Sequence, residues 1–464
     1  MGDSLVQHGD RRALIVELGE DPGDGRIEPI RSALAADAEI GQTIVYLACP
    51  KSSRSRFRES ASSFEQVHGV IDSGGSSSLT GILTSLNAAN SIRAVAFLPA
   101  SATFGCPEWT GIPLNEPALR IWLPRLDLPM FTDSEHQLGP LGWIASMPLI
   151  DLMLTHGIGF AFNASEVACS LLAGPVDPLW ISSSAGPTQS TPPANEPILR
   201  RHSTVLAIVP HYRCEQWLHR CLHSLTSQIR PPDAIVVIDD ASANPPRDLV
   251  ARYPEVTLLQ ATGNVGPYNL VQKVIDSTQY DAYLFQDADD WSTWDRLDLL
   301  LEAAEHTGAE LIGTQEFRFH AQTGGVNPVC YPIDVNRALS DDSWQALLHP
   351  SSLAGRALIR RIGGFATGLR FGGDTEFLLR AGYAGRITNI PRFCYFRRIR
   401  SFSLTTAPET GSGSPVRRSL QDDLSRQYEA NRTCVAQGRA PSLVPVTRAE
   451  LAVVNHVCGP KLRA

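Results

Sequence analysis

The chain has 464 residues, of which 43% are hydrophobic and 19% charged, and this is an ordinary globular composition for two to three domains. The formal net charge of -8 excludes a general attraction to nucleic acid or to anionic lipid, although a local basic patch and peripheral membrane contact remain compatible with it. The nine cysteines form no CxxC pair and no zinc-type spacing, and nothing resembles a signal peptide. We therefore expect reduced thiols and a cytoplasmic protein.

The longest apolar stretch, residues 141–162, is nearly long enough to span a membrane. Pro148, Asp151 and His156 interrupt it, and such residues are costly inside a bilayer. We expect no transmembrane segment here, and instead a buried helix followed by a strand or loop.

Two segments without apolar periodicity divide the chain. Residues 182–199 are rich in Ser, Pro, Thr and Gly, and residues 405–415 have a similar composition. This predicts an N-terminal α/β domain at 1–181, a linker at 182–199 and a central domain at 200–405. A linker and a helical C-terminal extension follow at 406–464.

Strand and helix patterns alternate through the central domain. Apolar runs at 204–210, 234–239, 254–261 and 281–287 predict strands, and amphipathic patterns at 215–229 and 268–277 predict helices. The repeated βαβ order predicts an α/β fold of Rossmann-like type, with a mostly parallel sheet covered by helices.

Polar residues follow each predicted strand, at the carboxyl ends where open α/β sheets bind their ligands. They are Pro210, His211 and Tyr212, then Asp239 and Asp240, then Asn264 and Gly266, and finally Asp287, Asp289 and Asp290. We expect these residues to form one site.

Asp287 and Asp289 are two residues apart, so in an extended backbone both would point into the same space. Two carboxylates with open positions suit Mg²⁺ or Mn²⁺, which completes its shell with water and substrate phosphates. The alternatives are a solvated acidic turn, or a role for Asp290 as the cap of the following helix.

The residues after the second and third strands suit a nucleoside. Because an ionised carboxylate only accepts hydrogen bonds, Asp240 could accept the ring N–H of uracil, thymine or guanine, and an Asx turn is the alternative. Asn264 and Gly266 precede a predicted helix, which fits either a close backbone approach to a ligand or a plain strand-to-helix turn.

Asp374 is expected to begin a later helix, where capping is its default role. The same position favours the ionised carboxylate that a general base needs. Further along, Arg392, Arg397, Arg398 and Arg400 are either solvated or form a clamp for diphosphate charge.

In the segments VLAIVPHYRCEQWLHRCLHSLTSQ, AIVVIDDAS, NVGPYN, FQDADDWS and GGDTEFLLR, the central domain resembles the family-2 glycosyltransferases of the GT-A fold. The resemblance implies an enzyme that transfers a sugar with inversion, in polysaccharide or glycoconjugate synthesis. Its donor would be a nucleoside-diphosphate sugar of the UDP, dTDP or GDP type. Its acceptor would be the hydroxyl of a carbohydrate or another compound.

The resemblance also implies roles for individual residues. Pro210, His211, Tyr212 and Asp240 would contact the nucleoside, Asp287 and Asp289 would bind metal and diphosphate, and Asp374 would be the base. We add Asp239, Asn264 and Gly266 to the donor-binding set. Gly373 stands where relatives carry a second carboxylate, and Ile399 follows Arg397 and Arg398 where many carry a histidine, so no third metal ligand is identified.

Two other function classes are compatible with parts of this pattern. A protein that binds sugar nucleotides or serves as a scaffold without turnover is the main alternative, and the presence of Asp287, Asp289 and Asp374 argues against it. A phosphotransferase would place its aspartates after the first strand, which here ends in VPHY.

The N-terminal region repeats part of the central pattern. Apolar runs at 12–19, 43–50 and 93–102 predict strands, and Ile15 and Phe97 align with Ile208 and Phe285. The counterpart of the acidic motif, LPASA at 98–102, has no carboxylate. This predicts a degenerate copy of the same fold that binds no metal, with a flavodoxin-like module as the alternative.

Overall fold

The computed structural model describes residues 198–464, except 323–325, 402 and 412, together with Leu83 and the backbone of eight strands in the N-terminal region. The chain divides into two compact units. One comprises residues 1–127, 137–187 and 324–328, and the other comprises residues 128–136, 188–323 and 329–464.

The first unit contains a sheet with the strand order β3-β2-β1-β4-β7-β5-β8. The N-terminal strands are β1 (Arg11–Glu17), β2 (Thr43–Cys49), β3 (Val67–Asp72), β4 (Ile92–Leu98), β5 (Ile121–Leu123), β6 (His136–Gln137), β7 (Trp143–Ser146) and β8 (Ile181–Ser183). Strands β1, β2 and β4 confirm the three predicted apolar strands. Strand β7 lies near the start of the stretch 141–162, for which a buried helix is expected, and residues 147–162 lie outside the described part of the chain.

The second unit contains a larger sheet with the order β13-β17-β14-β16-β12-β9-β10-β11-β18. Its strands are β9 (Val205–His211), β10 (Ala234–Asp239), β11 (Val256–Ala261), β12 (Ala282–Phe285), β13 (Trp291–Ser292), β14 (Leu311–His320), β15 (Val326–Cys330), β16 (Leu353–Gly355), β17 (Ile387–Ile399) and β18 (Val454–Cys458). The described helices are α1 (Glu215–Thr226), α2 (Arg247–Val250), α3 (Pro267–Asp276), α4 (Arg296–Thr307), α5 (Val335–Ser340), α6 (Arg356–Arg361), α7 (Gly373–Ala381) and α8 (Pro415–Ala436). The four predicted strands and two predicted helices of the central domain are confirmed as β9 to β12, α1 and α3.

The apolar strands are buried on both faces, as their continuous hydrophobic runs predict. Along β9, Leu206 and Ile208 join the cluster that includes α3 and α7, whereas Val205, Ala207 and Val209 join the cluster that includes α1 and α4. The sheet is therefore the middle layer of an α/β/α sandwich. The predicted fold class, an α/β domain of GT-A type with a mostly parallel sheet, is confirmed.

The two sheets share the order of their first strands. In the first unit the order is β3-β2-β1-β4, with β7 antiparallel to β4, and in the second it is β11-β10-β9-β12, with β16 antiparallel to β12. Ile15 pairs with Phe97 and Ile208 pairs with Phe285, so the aligned residues occupy equivalent register positions. This order differs from the 2-1-3-4-5 order of a flavodoxin-like module.

The C-terminal extension packs on the central domain. The predicted polar helix is α8, and its N-cap Ser414 accepts a hydrogen bond from the backbone N–H of Arg417. Strand β18 then adds antiparallel to β11. Among the described residues, no helix has both the length and the apolar character needed to cross a membrane.

Candidate active site

The carboxyl ends of β9, β10 and β12 lie side by side, because these strands are parallel neighbours. Backbone bonds continue this contact past the strand ends: the N–H of Asp240 donates to the carbonyl of His211, and that of Gln286 donates to the carbonyl of Ile208. Three segments that are distant in the sequence therefore meet at one edge of the sheet, as the sequence predicts.

His211 and Asp239 form a buried pair at this edge. The Nδ1 atom of His211 lies 2.8 Å from Asp239 Oδ1, while its Nε2 accepts the N–H of Cys214. Burial opposes ionisation of Asp239, but hydrogen bonds from His211 and Ser242 lower the pKa of its carboxyl below the ordinary value. Since both residues are almost fully buried, a nucleoside could make the predicted contacts with their side chains only if the surrounding packing opened.

Tyr212 and Pro210 are better placed to reach a ligand. Tyr212 is 41% exposed, and the guanidinium of Arg213 lies 5.0 Å from the centre of its ring. Pro210 is only partly buried. Arg213 lies two residues after His211, and Ala241 lies two residues after Asp239. Their φ angles are positive, at 53° and 58°. This backbone conformation costs energy in non-glycine residues and is common at functional sites.

Asp240 organises the loop before α3. Its Oδ1 accepts the N–H of Val265 and its Oδ2 that of Gly266, over 2.7 and 2.9 Å, and the Asn264 amide donates to its carbonyl. Burial raises the pKa of Asp240, and the two N–H groups oppose that shift. Each carboxylate oxygen has two lone pairs, so Asp240 can still accept a hydrogen bond from a ligand. Gly266 has a φ of 90°, which explains the glycine.

The structure thus brings Asp240, Asn264 and Gly266 together, as the sequence predicts. Arg370 adds a residue that the sequence analysis missed, because its guanidinium donates to Asn264 Oδ1. It belongs to an irregular segment more than 100 residues away, and no local pattern indicates this contact.

The acidic residues after β12 lie in a tight turn. Ligand oxygens of Asp287, Asp289 and Asp290 all lie within 4.8 Å of one another, and the N–H of Asp290 donates to the carbonyl of Asp287. The extended geometry expected for this segment is therefore wrong, and the turn adds Asp290 to the cluster. Asp290 is not a helix cap either, since the N-cap of α4 is Asp295.

The three carboxylates have different partners. Asp290 is buried and accepts hydrogen bonds from the Tyr395 hydroxyl and the Arg398 N–H. Asp289 Oδ2 accepts a bond from Arg400 Nε over 2.5 Å. Asp287 is exposed to solvent.

Burial and mutual repulsion both oppose ionisation of the acidic cluster. Although Asp287 reaches solvent, protein surrounds it on most sides, and this desolvation together with the charge of Asp289 raises its pKa to about 7. Burial and the same neighbouring charges raise the pKa of Asp290 well above the ordinary value. A bound cation would relieve this repulsion, and a set of carboxylate oxygens fits Mg²⁺ or Mn²⁺.

Most of the predicted arginine clamp is engaged within the protein. Arg392 is fully buried, and the guanidinium of Arg398 lies over three aromatic rings, at 5.1 to 5.5 Å from their centres. Arg397 is 3.9 Å from Glu316, although its charge also lowers the pKa of Asp287. Two of the four arginines bond to the acidic turn through their side chains: Arg398 Nε donates to the backbone carbonyl of Asp289, and Arg400 pairs with the Asp289 carboxylate.

Asp374 lies in the first turn of α7, whose N-cap is Gly372. The expected N-cap role of Asp374 is therefore wrong, but the helix N-terminus still favours its ionised form. The Tyr268 hydroxyl donates to Asp374 Oδ1 over 3.0 Å. The charge of Asp374 contributes to the raised pKa of Asp287, so the two carboxylates share one electrostatic site.

A comparison with protein families finds a match in this part of the chain. Residues 206–328 match the profile described as Glycosyl transferase family 2. No curated protein matches the chain.

Solved structures of S. aureus TarS are similar to the chain. The structure of TarS residues 1–349 in complex with UDP is 19% identical to this chain. The alignment covers 50% of this chain and 72% of the TarS chain, with a TM-score of 0.37. The structure of the same TarS residues in complex with UDP-GlcNAc is 18% identical. That alignment covers 50% of this chain and 73% of the TarS chain, with a TM-score of 0.38.

Proposed function

Because residues 206–328 match the family model of glycosyl transferase family 2, we propose that this protein transfers a sugar with inversion from a nucleoside-diphosphate donor to an acceptor hydroxyl. The observation that supports this most directly is the convergence of the Asp240 loop, the acidic turn and Asp374 at one edge of the sheet. The donor is of the UDP, dTDP or GDP type, and the acceptor is a carbohydrate or another hydroxyl compound.

The nucleoside binds at the ends of β9 and β10 in this proposal. Asp240 accepts the ring N–H of the base, since its oxygens keep free lone pairs, and the exposed Tyr212 ring offers an apolar face. The buried hydrogen bond between His211 and Asp239 joins the ends of β9 and β10 and so holds this site in place. The diphosphate then extends towards the turn that holds Asp287 and Asp289.

The proposed reaction is a substitution at the anomeric carbon of the donor sugar. Asp374 takes the proton of the acceptor hydroxyl, and the acceptor oxygen forms a bond to the anomeric carbon from the side opposite the diphosphate. The bond between that carbon and the diphosphate oxygen breaks, and the nucleoside diphosphate leaves with the electron pair. Attack from the opposite face inverts the configuration.

Asp287 and Asp289 would hold Mn²⁺ or Mg²⁺, which supplies positive charge to the diphosphate as it leaves. Asp290 lies beside these two carboxylates and is held in place by hydrogen bonds from the Tyr395 hydroxyl and the Arg398 N–H. Arg400 provides further positive charge at the same place.

A panel of UDP-, dTDP- and GDP-sugars tests the proposal, with thermal shift and nucleoside-diphosphate release measured with and without Mn²⁺. We expect one nucleotide class to stabilise the protein in a Mn²⁺-dependent way and to be hydrolysed slowly. Stabilisation without any turnover, including turnover with added saccharide acceptors, would instead favour a sugar-nucleotide-binding protein. The absence of any stabilisation would contradict the donor site.

A further inference from the structure

One side-chain hydrogen bond links the first turn of α3 to the first turn of α7. The Tyr268 hydroxyl donates to Asp374 Oδ1 over 3.0 Å. Desolvation and the charge of Asp374 raise the pKa of the Tyr268 phenol well above its ordinary value. Because the phenol stays protonated at neutral pH, it remains a donor to this carboxylate.

Gly373 makes the approach of Tyr268 sterically possible. A Cβ atom at position 373 would lie 2.7 to 2.9 Å from three atoms of the Tyr268 ring, which is closer than side chains pack. Gly373 does not have a positive φ angle, so glycine is required here for space and not for backbone conformation. Any side chain at this position would displace the tyrosine ring.

Contacts that do not involve the hydroxyl hold the Tyr268 ring in place. The ring stacks on Phe365, with centroids 6.2 Å apart and planes 15° apart. Phe365 in turn stacks on Phe377 of α7 at 4.3 Å. A phenylalanine at position 268 would keep this packing and lose only the bond to Asp374.

The two oxygens of Asp374 have different environments. Oδ1 accepts the Tyr268 hydroxyl, whereas no hydrogen bond to Oδ2 is found within the part of the chain that the structure describes. We propose that Tyr268 is a positioning residue: it fixes Oδ1, stabilises the ionised carboxylate and leaves Oδ2 to receive the proton of the acceptor hydroxyl. This inference rests on the proposed role of Asp374 as the general base.

Tyr268 also connects the base to the donor site. It lies two residues after Gly266, whose backbone N–H binds Asp240. The nucleoside-binding carboxylate and the base are therefore joined through the first residues of α3. A donor that orders this loop would also hold the tyrosine against Asp374.

A substrate-free experiment tests the proposal on the full chain. Aspartate labelled with ¹³C at the carboxyl is followed by NMR as the pH changes, and the Asp374 signal is assigned by its loss in Asp374→Asn. We expect this signal to move to higher pH in Tyr268→Phe, because the carboxylate loses a hydrogen bond that favours its charged form. Tyr280→Phe, which removes a hydroxyl that contacts the Arg463 backbone, is the matched control and should leave the signal unchanged. Equal titration in Tyr268→Phe and the wild type would overturn the inference.

The steric argument gives an independent second test. Gly373→Ala should move the Asp374 titration in the same direction as Tyr268→Phe, whereas in a Tyr268→Ala background it should add little, because the colliding ring is gone. Gly413→Ala is the control, since a Cβ there meets no atom within 4 Å. An equal effect of Gly373→Ala in both backgrounds would contradict the proposed packing.

Kinetics separate this inference from the proposed function. With the donor found in the nucleotide-sugar panel, Tyr268→Phe should lower kcat about tenfold, leave the donor KM within about twofold and move the acid limb of the pH profile upwards. Near-normal turnover in Asp374→Asn would remove the proposed base, whatever Tyr268 does. If Asp374→Asn is inactive but Tyr268→Phe keeps its kcat and pH profile, the function stands and the positioning role is wrong.

Discussion

Arg400 donates from Nε to Asp289 Oδ2 over 2.5 Å, so a carboxylate predicted to bind metal is already paired with a cation. The two side chains are only 21% and 16% exposed, and the guanidinium also lies 4.8 Å from the centre of the Trp217 ring. A metal ion at Asp289 must therefore displace Arg400 or share the carboxylate with it.

Replacing Arg400 with Gln should strengthen Mn²⁺ binding in the absence of donor by about three- to tenfold, because a competing positive charge is removed. Isothermal titration calorimetry with Mn²⁺ measures this directly. Arg426→Gln is the control, since its pair with Asp423 is largely exposed and lies on α8. Weaker or unchanged Mn²⁺ affinity in Arg400→Gln would show that the arginine does not compete with the metal.

Asp289→Ala should abolish Mn²⁺-dependent donor binding with little loss of stability. The substitution removes a metal ligand, but it also relieves the repulsion that raises the pKa values of Asp287 and Asp290. Calorimetry with Mn²⁺ and UDP reports binding, and the Tm reports stability, with Asp423→Ala as the control. Unchanged Mn²⁺-dependent binding would make the metal assignment wrong.

The apolar strands and the position of the site could be predicted from the sequence. Continuous hydrophobic runs such as 204–210 identify strands buried on both faces, and the parallel order then places the polar residues that follow them at one edge. The long strands β14 and β17 were missed, because β17 is rich in arginine and aromatic residues and has no simple periodicity.

Contacts between distant side chains could not be predicted. The turn that adds Asp290 to the acidic cluster depends on the hydroxyl of Tyr395, and the position of Arg398 depends on the ring of Trp217, both far along the chain. Likewise, Gly373 is visible in the sequence, but the requirement for glycine there is not. That requirement comes from the ring of Tyr268, which lies more than 100 residues earlier and leaves no room for a Cβ atom.

The shared strand order of the two sheets leads to a prediction about binding stoichiometry. The first unit repeats the arrangement of β9 to β12 and β16, yet its counterpart of the acidic motif, residues 98–102, contains no carboxylate. The full chain should therefore bind one nucleoside diphosphate with Mn²⁺, and Asp289→Ala should remove that binding completely. A second saturable site per chain, or one that survives Asp289→Ala, would contradict a degenerate copy.

His349 should make stability depend on pH below neutrality. Burial lowers its pKa from 6.5 to about 4, although the charge of Asp374 opposes the shift. Between pH 6.5 and 4 the unfolded chain binds more protons than the folded one. The free energy of unfolding is therefore unaffected by His349 above pH 6.5 and decreases as the pH falls towards 4. The loss is at most about 3 kcal/mol.

His349→Phe removes this titration and keeps a ring stacked on Phe285, whose centroid lies 4.2 Å from that of His349. Denaturant unfolding between pH 7 and 4.5 should show a flatter fall in the free energy of unfolding for this variant than for the wild type. Because the slopes are compared, a constant packing cost of the larger ring does not matter. Parallel slopes would rule out a buried neutral histidine.

The prediction with the sharpest outcome concerns Asp374→Asn. Asparagine keeps the shape of the side chain and an acceptor for Tyr268, and Gly372 is the N-cap, so stability should change by no more than about 1 kcal/mol. Proton abstraction is lost, and general-base catalysis typically contributes a factor of roughly 10² to 10⁴. Turnover should therefore fall at least about a hundredfold while donor affinity, measured by calorimetry, stays within a few-fold.

Two neighbouring carboxylates are poorly placed to replace this base. Glu376 is buried and paired with Arg380, and both oxygens of Asp290 are bound, by Tyr395 and by the Arg398 N–H. Both side chains are also almost fully buried, so an acceptor hydroxyl could reach neither carboxylate without a rearrangement of the residues around it. Retention of near-normal turnover by a folded Asp374→Asn protein would consequently count against direct proton abstraction by Asp374, and Asp287 would be the next carboxylate to test.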